Sequence, residues 1–197
     1  MMVDADLPAG QVKRLAQNIY HASRRIQTML QDLLNVSRGG NIEAEPCLLK
    51  DVVDAAAAAQ REAAAARGVK VEIDVPDDLE LPLQRARVER VFENLIGNAI
   101  DVMPAGGAIR IRTKRAEAQV VVEVEDTGPG IPAEIREKLF QPFVTHGKRH
   151  GLGLGLALSR QTILDHGGEM WASGVPGGGA RFSVRLPRTP AARAVLQ

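Results

Sequence analysis

The first regular pattern along the chain is a spacing of apolar residues that alternates between three and four positions. It runs over residues 12–36 with polar and charged residues between, which is typical of a heptad repeat. Leu30 and Leu34 widen the apolar face and favour a multi-helix bundle over a two-stranded coil. We therefore expect a helix over residues 11–40 that packs on partner helices, the alternative being one amphipathic helix packed on its own domain. The repeat positions are Val12, Leu15, Ile19, Ala22, Ile26, Met29, Leu33 and Val36.

Beyond Pro46 the pattern changes to a mixture of helical and strand periodicities. An alanine-rich stretch predicts one helix ending at Gly68, and a second apolar stripe predicts a helix from Arg87 to Met103. Because helices and strands do not alternate strictly, we expect an α+β fold, a mostly antiparallel sheet with helices on one face. The predicted strands are VKVEIDV (69–75), AIRIRTKR (108–115), QVVVEVED (119–126), GEMWAS (168–173) and ARFSVRL (180–186).

Composition narrows the classes of protein to consider. The 197 residues are 45% hydrophobic and 25% charged, as in soluble globular proteins, and the net charge of +1 gives no electrostatic case for nucleic acid or an anionic membrane. The single cysteine, Cys47, excludes an intrachain disulfide and fits a reducing compartment. No apolar run approaches the roughly 20 residues of a membrane span. We expect a cytoplasmic segment without membrane contact, which fits the soluble part of a membrane-anchored protein.

Candidate chemistry begins on the helix predicted from Arg87 to Met103. Asn94, Asn98 and Asp101 fall within an arc of about 60° beside its apolar stripe. Amide oxygens at the rim of a core are ligands that Mg²⁺ accepts together with water and phosphate oxygens. Each asparagine taken singly is more often an ordinary surface residue.

The segment VEDTGPGIP ends a strand at Asp126 and brackets a proline between Gly128 and Gly130. An aspartate in such a turn can accept a hydrogen bond from an exocyclic amine while the backbone passes close to a flat ring. In LFQPFVTHGKRHG, two phenylalanines can anchor a loop that carries Lys148, Arg149 and His150, a candidate lid with cations for a polyphosphate.

Three glycines, Gly151, Gly153 and Gly155, precede a helix-like stretch. The spacing matches neither a Walker loop nor the GxGxxG dinucleotide motif. Two interpretations stand equally: a phosphate-binding glycine loop of another kind at a helix N-terminus, or a flexible entry into the helix.

In this order, ENLIGNAIDVMPAGG, VEDTGPGIP, LFQPFVTHGK and GLGLGLALSRQTILDHGG resemble the asparagine box, first glycine box, phenylalanine box and second glycine box of sensor histidine kinases. The ending GGGARFSVRLP is also similar, so the resemblance covers roughly residues 46–187. It implies the two-layer α/β sandwich, the Bergerat-type ATP-binding fold, shared with gyrase, heat-shock chaperone and mismatch-repair ATPases.

The heptad segment is similar to the second helix of the family's dimerisation and phosphotransfer hairpin. The expected domains are 11–40 (helix), 45–187 (catalytic) and 188–197 (tail).

The resemblance implies ATP and Mg²⁺ as ligands, a homodimer through the N-terminal helix, and a response-regulator receiver domain as partner. Asp126 would bind the adenine amine, Asn98 with Asn94 would ligate magnesium, and Phe140 and Phe143 would anchor the lid. Relatives often carry threonine at Leu152, a hydroxyl residue at Ala180 and lysine at Asp101. The residues implied in binding are Asn94, Asn98, Asp101, Asp126, Gly128, Gly130, Ile131, Phe140, Phe143, Lys148, His150, Gly151, Leu152, Gly153, Leu154 and Gly155.

The family's phosphoacceptor lies in an H-E-x-R-x-P box, and none of His21, His146, His150 and His166 has that context. We therefore expect a kinase catalytic core that does not autophosphorylate alone, with no catalytic residue assigned on this chain. Two alternatives are an anti-sigma-factor-like serine kinase and a gyrase-type clamp ATPase. The first lacks such a long helix, and the second carries a water-activating glutamate where this chain has Asn94.

Overall fold

The structure is a computed structural model that describes Gln11 and residues 44–115, 118–144 and 153–189. The expected helix over 11–40 lies outside the described residues except for Gln11, and so does the tail beyond residue 189. In chain order the elements are β1 (Glu45–Leu48), α1 (Leu49–Ala59), α2 (Arg61–Ala66), β2 (Val69–Asp74), β3 (Glu80–Leu83), α3 (Arg85–Asp101), β4 (Gly107–Arg115), β5 (Gln119–Asp126), α4 (Ala133–Arg136), α5 (Gly155–Asp165), β6 (Glu169–Gly174) and β7 (Ala180–Pro187).

Five strands form one sheet in the order β2-β4-β5-β7-β6. Strands β2 and β4 are parallel, whereas each of the other neighbouring pairs is antiparallel. The expectation of a mostly antiparallel sheet is confirmed. Apolar side chains of α1, α3 and α5 join those of the inner sheet face in a single core, which gives the two-layer sandwich expected for the fold class.

The outer face of the sheet carries a cross-strand ion pair at each of its four strand junctions. Because side chains alternate along a strand, the charged residues share the face opposite the core. The pairs are Glu72–Arg110, Lys114–Glu123, Glu125–Arg181 and Glu169–Arg185. The Arg185 guanidinium also lies 5.6 Å from the centroid of the Trp171 ring. Within each pair the two opposite charges neutralise one another, and such charged pairs are typical of a sheet face that contacts water.

Three features differ from the sequence-based expectations. The alanine-rich stretch forms two helices, because the backbone turns at Gln60 (φ −99°, ψ 3°) and the Gln60 side-chain amide lies against Gly97 of α3. Strands β1 and β3 form a separate antiparallel pair that the periodicity did not predict; each contains a proline, and Pro46 pairs with Pro82. Helix α3 begins and ends two residues earlier than expected. Among the described residues, no helix is long and apolar enough to cross a membrane.

Candidate functional site

Asp126 is a charged residue at an inward-facing position of β5, where the other inward-facing residues are valines. The inward-facing residues of this strand are Val120, Val122, Val124 and Asp126, and Asp126 is only 4% exposed. A buried charged group is costly unless it is hydrogen-bonded, so its surroundings decide what it can do.

One carboxylate oxygen of Asp126 is held by two backbone N–H groups. The N–H of Gly128 donates to Oδ1 at 2.8 Å and that of Ala180 donates to the same oxygen at 3.2 Å. No described residue donates to Oδ2. Burial raises the pKa of Asp126, although the two N–H donors act in the opposite direction. The carboxylate is therefore oriented by its backbone partners, and Oδ2 remains available to a donor such as an exocyclic amine.

The turn after Asp126 has room for backbone only. A Cβ on Gly128 would stand 2.9 Å from Asp126 Oδ1 and 3.1 Å from Val102 Cγ2 at the end of α3. A Cβ on Gly179 (φ +97°) would stand 2.0 Å from the carbonyl oxygen of Asp126. Both positions therefore require glycine, and together they bring β5, β7 and the end of α3 close to the carboxylate.

Thr127 was not among the predicted site residues. Its hydroxyl accepts from the N–H of Ala108 at 3.0 Å, and its own N–H donates to the Ala108 carbonyl at 3.1 Å. The same hydroxyl lies 3.6 Å from the Met103 sulfur. Thr127 thus joins the turn to β4 and to the segment after α3. In the sequence, the only indication of this role is that a hydroxyl residue stands between Asp126 and Gly128.

Asn94 connects α3 to the N-terminal half of α5. Its Nδ2 donates to the hydroxyl of the buried Ser159 at 3.1 Å. A Cβ on Gly155 would stand 2.3 Å from Asn94 Oδ1, so the amide oxygen packs directly against the first residue of α5. Ser159 is a second contact residue that the sequence analysis missed.

Helix α3 joins the two parts of the site. Half-buried Asn98 lies one turn beyond Asn94, and Val102 lies one turn beyond Asn98, next to the Gly128 turn. From Asn94 to Val102 the helix rises about 12 Å. The Asp126 turn and the start of α5 are therefore arranged along one helix, at positions about 12 Å apart.

Gly130 has φ +85°, and a Cβ there would stand 3.1 Å from the Gly179 carbonyl oxygen, so this position also requires glycine. Other predicted residues lie farther from the Asp126 turn or outside the described residues. Asp101 lies in an ion pair with Arg67 at 3.3 Å. Ile131 and Phe140 are half-buried against the core, and the Arg160 guanidinium lies 5.5 Å from the Phe140 ring centroid. Half-buried Leu154 precedes α5, and Lys148, His150, Gly151 and Leu152 lie outside the described residues.

Phe143 differs from Phe140 in burial. Its side chain is 70% exposed and its φ is +67°, so its ring lies outside the core that Phe140 contacts. Residues 145–152 of the loop lie outside the described residues, so the anchoring role of Phe143 stays a prediction. The backbone supplies a contact, because the Phe143 N–H donates to the Gly153 carbonyl at 2.9 Å. A Cβ on Gly153 would stand 2.6 Å from the Phe143 carbonyl carbon, which explains glycine at this position.

Comparison with known proteins agrees with this geometry. The histidine kinase-, DNA gyrase B-, and HSP90-like ATPase family matches residues 83–190. The C4-dicarboxylate transport sensor protein DctB of Rhizobium meliloti is 36% identical over 188 residues, which cover 92% of this chain and 30% of that protein. The alginate biosynthesis sensor protein KinB of Pseudomonas aeruginosa is 36% identical over 189 residues, covering 92% of this chain and 32% of that protein. The chain thus spans about a third of the length of these relatives.

Solved structures show the same fold. A nucleotide-free catalytic domain of the histidine kinase ThkA superposes with a TM-score of 0.69 and 31% identity, covering 76% of this chain and all (100%) of that one. The family match covers more than half of the chain and contains the Asp126 turn, α3 and α5. The chain therefore belongs to the histidine kinase-, DNA gyrase B-, and HSP90-like ATPase family, as an ATP-binding catalytic domain of the sensor histidine kinase type.

Proposed function

We propose that this chain binds ATP with Mg²⁺ through the residues around Asp126, Asn98 and Gly155 and presents the γ-phosphate to a histidine of a phosphotransfer hairpin. The observation that carries the proposal is the Asp126 carboxylate, with Oδ1 held by two backbone N–H groups and Oδ2 left by the described residues for the adenine amine. Transfer forms a bond between the imidazole nitrogen and the γ-phosphorus. It breaks the bond to the oxygen shared with the β-phosphate, and ADP leaves.

The amide oxygens of Asn94 and Asn98 on α3 are suitable ligands for magnesium. The Asn94 amide oxygen packs against the start of α5, and Asn98 follows one turn later. No group of three or more His, Cys, Asp or Glu side chains that could hold a metal occurs in the described part of the chain. Amide oxygens therefore act together with phosphate oxygens and water, a donor set that Mg²⁺ accepts, and the bound ion would neutralise phosphate charge.

The proposed partners are a second copy of the chain, through residues 11–40, and a response regulator. Support comes from the structure of the histidine kinase ThkA in complex with the response regulator protein TrrA, with a TM-score of 0.77 and 27% identity over 97% of this chain and 55% of that one. We place the segment in the cytoplasm, where ATP is available.

Neither alternative function is favoured. A gyrase-type clamp ATPase needs a general base where this chain has Asn94, and an amide cannot accept a proton from water in that role. Asn94 instead donates to Ser159. The similar proteins reported above are sensor kinases rather than anti-sigma factors.

Calorimetric titration of the full chain with Mg-ATP and Mg-GTP tests the assignment of Asp126. We expect ATP to bind more tightly, because guanine presents a carbonyl where adenine presents the amine. Asp126→Asn should lose the preference, whereas Glu125→Gln, on the outer face and paired with Arg181, is the matched control and should keep it. Equal affinity for ATP and GTP in the parent chain would refute the proposal.

Incubation with labelled ATP and a separately supplied helix bearing the H-E box tests the transfer. Acid-labile phosphate on the supplied helix, and none on this chain alone, is the expected result. Phosphate that is stable to acid on a serine would favour the serine-kinase alternative.

A further inference from the structure

His166 makes two hydrogen bonds that require one tautomer of a neutral ring. Its Nδ1 lies 2.7 Å from the Thr162 carbonyl oxygen, which only accepts, so Nδ1 carries the hydrogen. Its Nε2 accepts from the backbone N–H of Gln84 at 3.0 Å. A protonated ring would present a second N–H to that donor and break the contact.

The surroundings of His166 support the neutral form. Burial lowers the pKa of His166, and the positive charge of Arg87 lowers it further, whereas the Thr162 carbonyl and Asp165 act in the opposite direction. Arg87 of α3 is itself ion-paired with Asp165 of α5. Gln161 also donates to Asp165, at 2.8 Å.

The Gln84–His166 contact joins opposite ends of two antiparallel helices. His166 follows the last residue of α5 and Gln84 precedes the first residue of α3. At the other end of the pair, Asn94 of α3 contacts Ser159 and Gly155 of α5. The two attachments are about 15 Å apart along α3. The Arg87–Asp165 ion pair lies at the same end as the Gln84–His166 contact, and the contacts at the two ends together hold α5 in place against α3.

We propose that His166 is a positioning residue for the nucleotide phosphates: through Gln84 it fixes α5 against α3 and so aims the N-terminal turn of α5 at the ligand. The proposal rests on the function proposed above. The N–H groups of a helix start bind phosphate only when they point at it, and a small displacement weakens each bond. The Asp126 carboxylate proposed to bind adenine is held by the N–H groups of Gly128 and Ala180, and neither contact involves His166 or Gln84.

A purely structural histidine at a helix end would act differently. Losing it would lower stability and leave the folded site unchanged, or disturb adenine and phosphates together. A positioning residue lowers affinity for ATP selectively and leaves affinity for adenosine unchanged. The ratio of the two affinities therefore separates the two roles.

The experiment compares binding of Mg-ATP and adenosine to the full chain by calorimetry. His166→Asn cannot reach the Gln84 N–H and should weaken ATP binding about three- to tenfold, the scale of one weakened hydrogen bond to the phosphates. His166→Gln should restore ATP affinity, because its side-chain oxygen can accept in the place of Nε2. Gln84→Pro removes the donor N–H at a backbone φ of −81° that proline tolerates, together with the side-chain oxygen that accepts from Arg87 Nη1, and it should reproduce the His166→Asn result. Gln84→Ala loses the same side chain but keeps the N–H, so a loss of ATP affinity specific to the proline variant is the expected result.

Ile73→Ala, on the opposite edge strand β2, is the control for lost stability and should leave both affinities unchanged. Unchanged ATP affinity in folded His166→Asn and Gln84→Pro, or an equal loss for adenosine, would overturn the role of His166. A parent chain that does not prefer ATP over GTP would instead contradict the proposed function.

Discussion

The backbone N–H of Ala180 donates to Oδ1 of Asp126 at 3.2 Å, across 54 residues of sequence. The contact joins the first residue of β7 to the last residue of β5, two positions set by the Glu125–Arg181 register. The geometry of the carboxylate is therefore a product of strand pairing. A variant that disturbs the β5–β7 register should therefore lose the proposed adenine contact without any change at Asp126.

Asp126→Asn should separate stability from binding. Because burial raises the pKa of Asp126, the native state binds this proton more readily than the unfolded chain, and the ionised carboxylate lowers stability at neutral pH. The amide keeps an oxygen for Gly128 and Ala180 and carries no charge. We expect an unchanged or higher melting temperature without ligand. ATP affinity should fall by about 1.5–3 kcal/mol, the range for a hydrogen bond to a charged group. A melting temperature well below that of the parent would show that the charge stabilises the fold.

Asn98→Ala should abolish the magnesium dependence of nucleotide binding while the chain stays folded. Asn94→Ala is the informative comparison, because it also leaves the buried hydroxyl of Ser159 without its donor. That loss costs about 1–3 kcal/mol of stability. Titrations with and without Mg²⁺, together with denaturant curves, separate the two effects. Binding by Asn98→Ala with unchanged magnesium dependence would exclude Asn98 as a ligand.

Gly155→Ala should weaken ATP binding, because its Cβ would meet the Asn94 amide oxygen at 2.3 Å and force that side chain aside. The gain in helix propensity from glycine to alanine, about 1 kcal/mol, does not offset this displacement at the site. Gly174→Ala is the matched control, since nothing lies within 4 Å of its Cβ position. We expect only Gly155→Ala to reduce ATP affinity; equal affinities for the two variants would contradict the close packing of Asn94.

Acid should destabilise the chain through His166. Its folded pKa is lowered, so as pH falls below the unfolded value of about 6.5 the unfolded state takes up the proton first. Stability contributed by the neutral ring is present above that pH and is lost between the unfolded and the folded pKa. Denaturant curves at about pH 7.5 and 5.5 should show a smaller decrease for His166→Gln than for the parent. The same decrease in both would show that other groups control this range.

The heptad segment predicts concentration-dependent dimerisation of the full chain. An apolar stripe over residues 12–36 is costly to leave in water, and burying it at about 25 cal/mol per Å² favours self-association. Ile26→Lys should shift sedimentation towards the monomer without changing ATP affinity. A parent chain that stays monomeric at high concentration would refute the dimer.

Much of the site could be predicted because its signals are local. An aspartate in phase with three buried valines, Val120, Val122 and Val124, breaks the apolar pattern of β5, and the structure places its carboxylate among backbone donors. The mostly antiparallel sheet and helix α3 followed from periodicity, with α3 displaced by two residues.

What could not be predicted depends on partners that are distant in sequence. Thr127 bonds to Ala108 and Ser159 to Asn94, contacts that no periodicity encodes. The helix is interrupted at Gln60 although its alanine neighbours favour a continuous helix. At this point the Gln60 side chain packs on Gly97 of α3. The exposure of Phe143 likewise runs against its apolar character, because its backbone rather than its ring meets Gly153.

The contact between Arg185 and Trp171 has an optical consequence. Trp171 is the only tryptophan of the chain, and it lies on edge strand β6, on the sheet face opposite the Asp126 carboxylate. Its fluorescence therefore reports the separation of β6 from β7 during unfolding and should barely respond when a nucleotide binds beside Asp126. Unfolding can thus be followed in the presence of ATP with a signal that the ligand itself does not perturb.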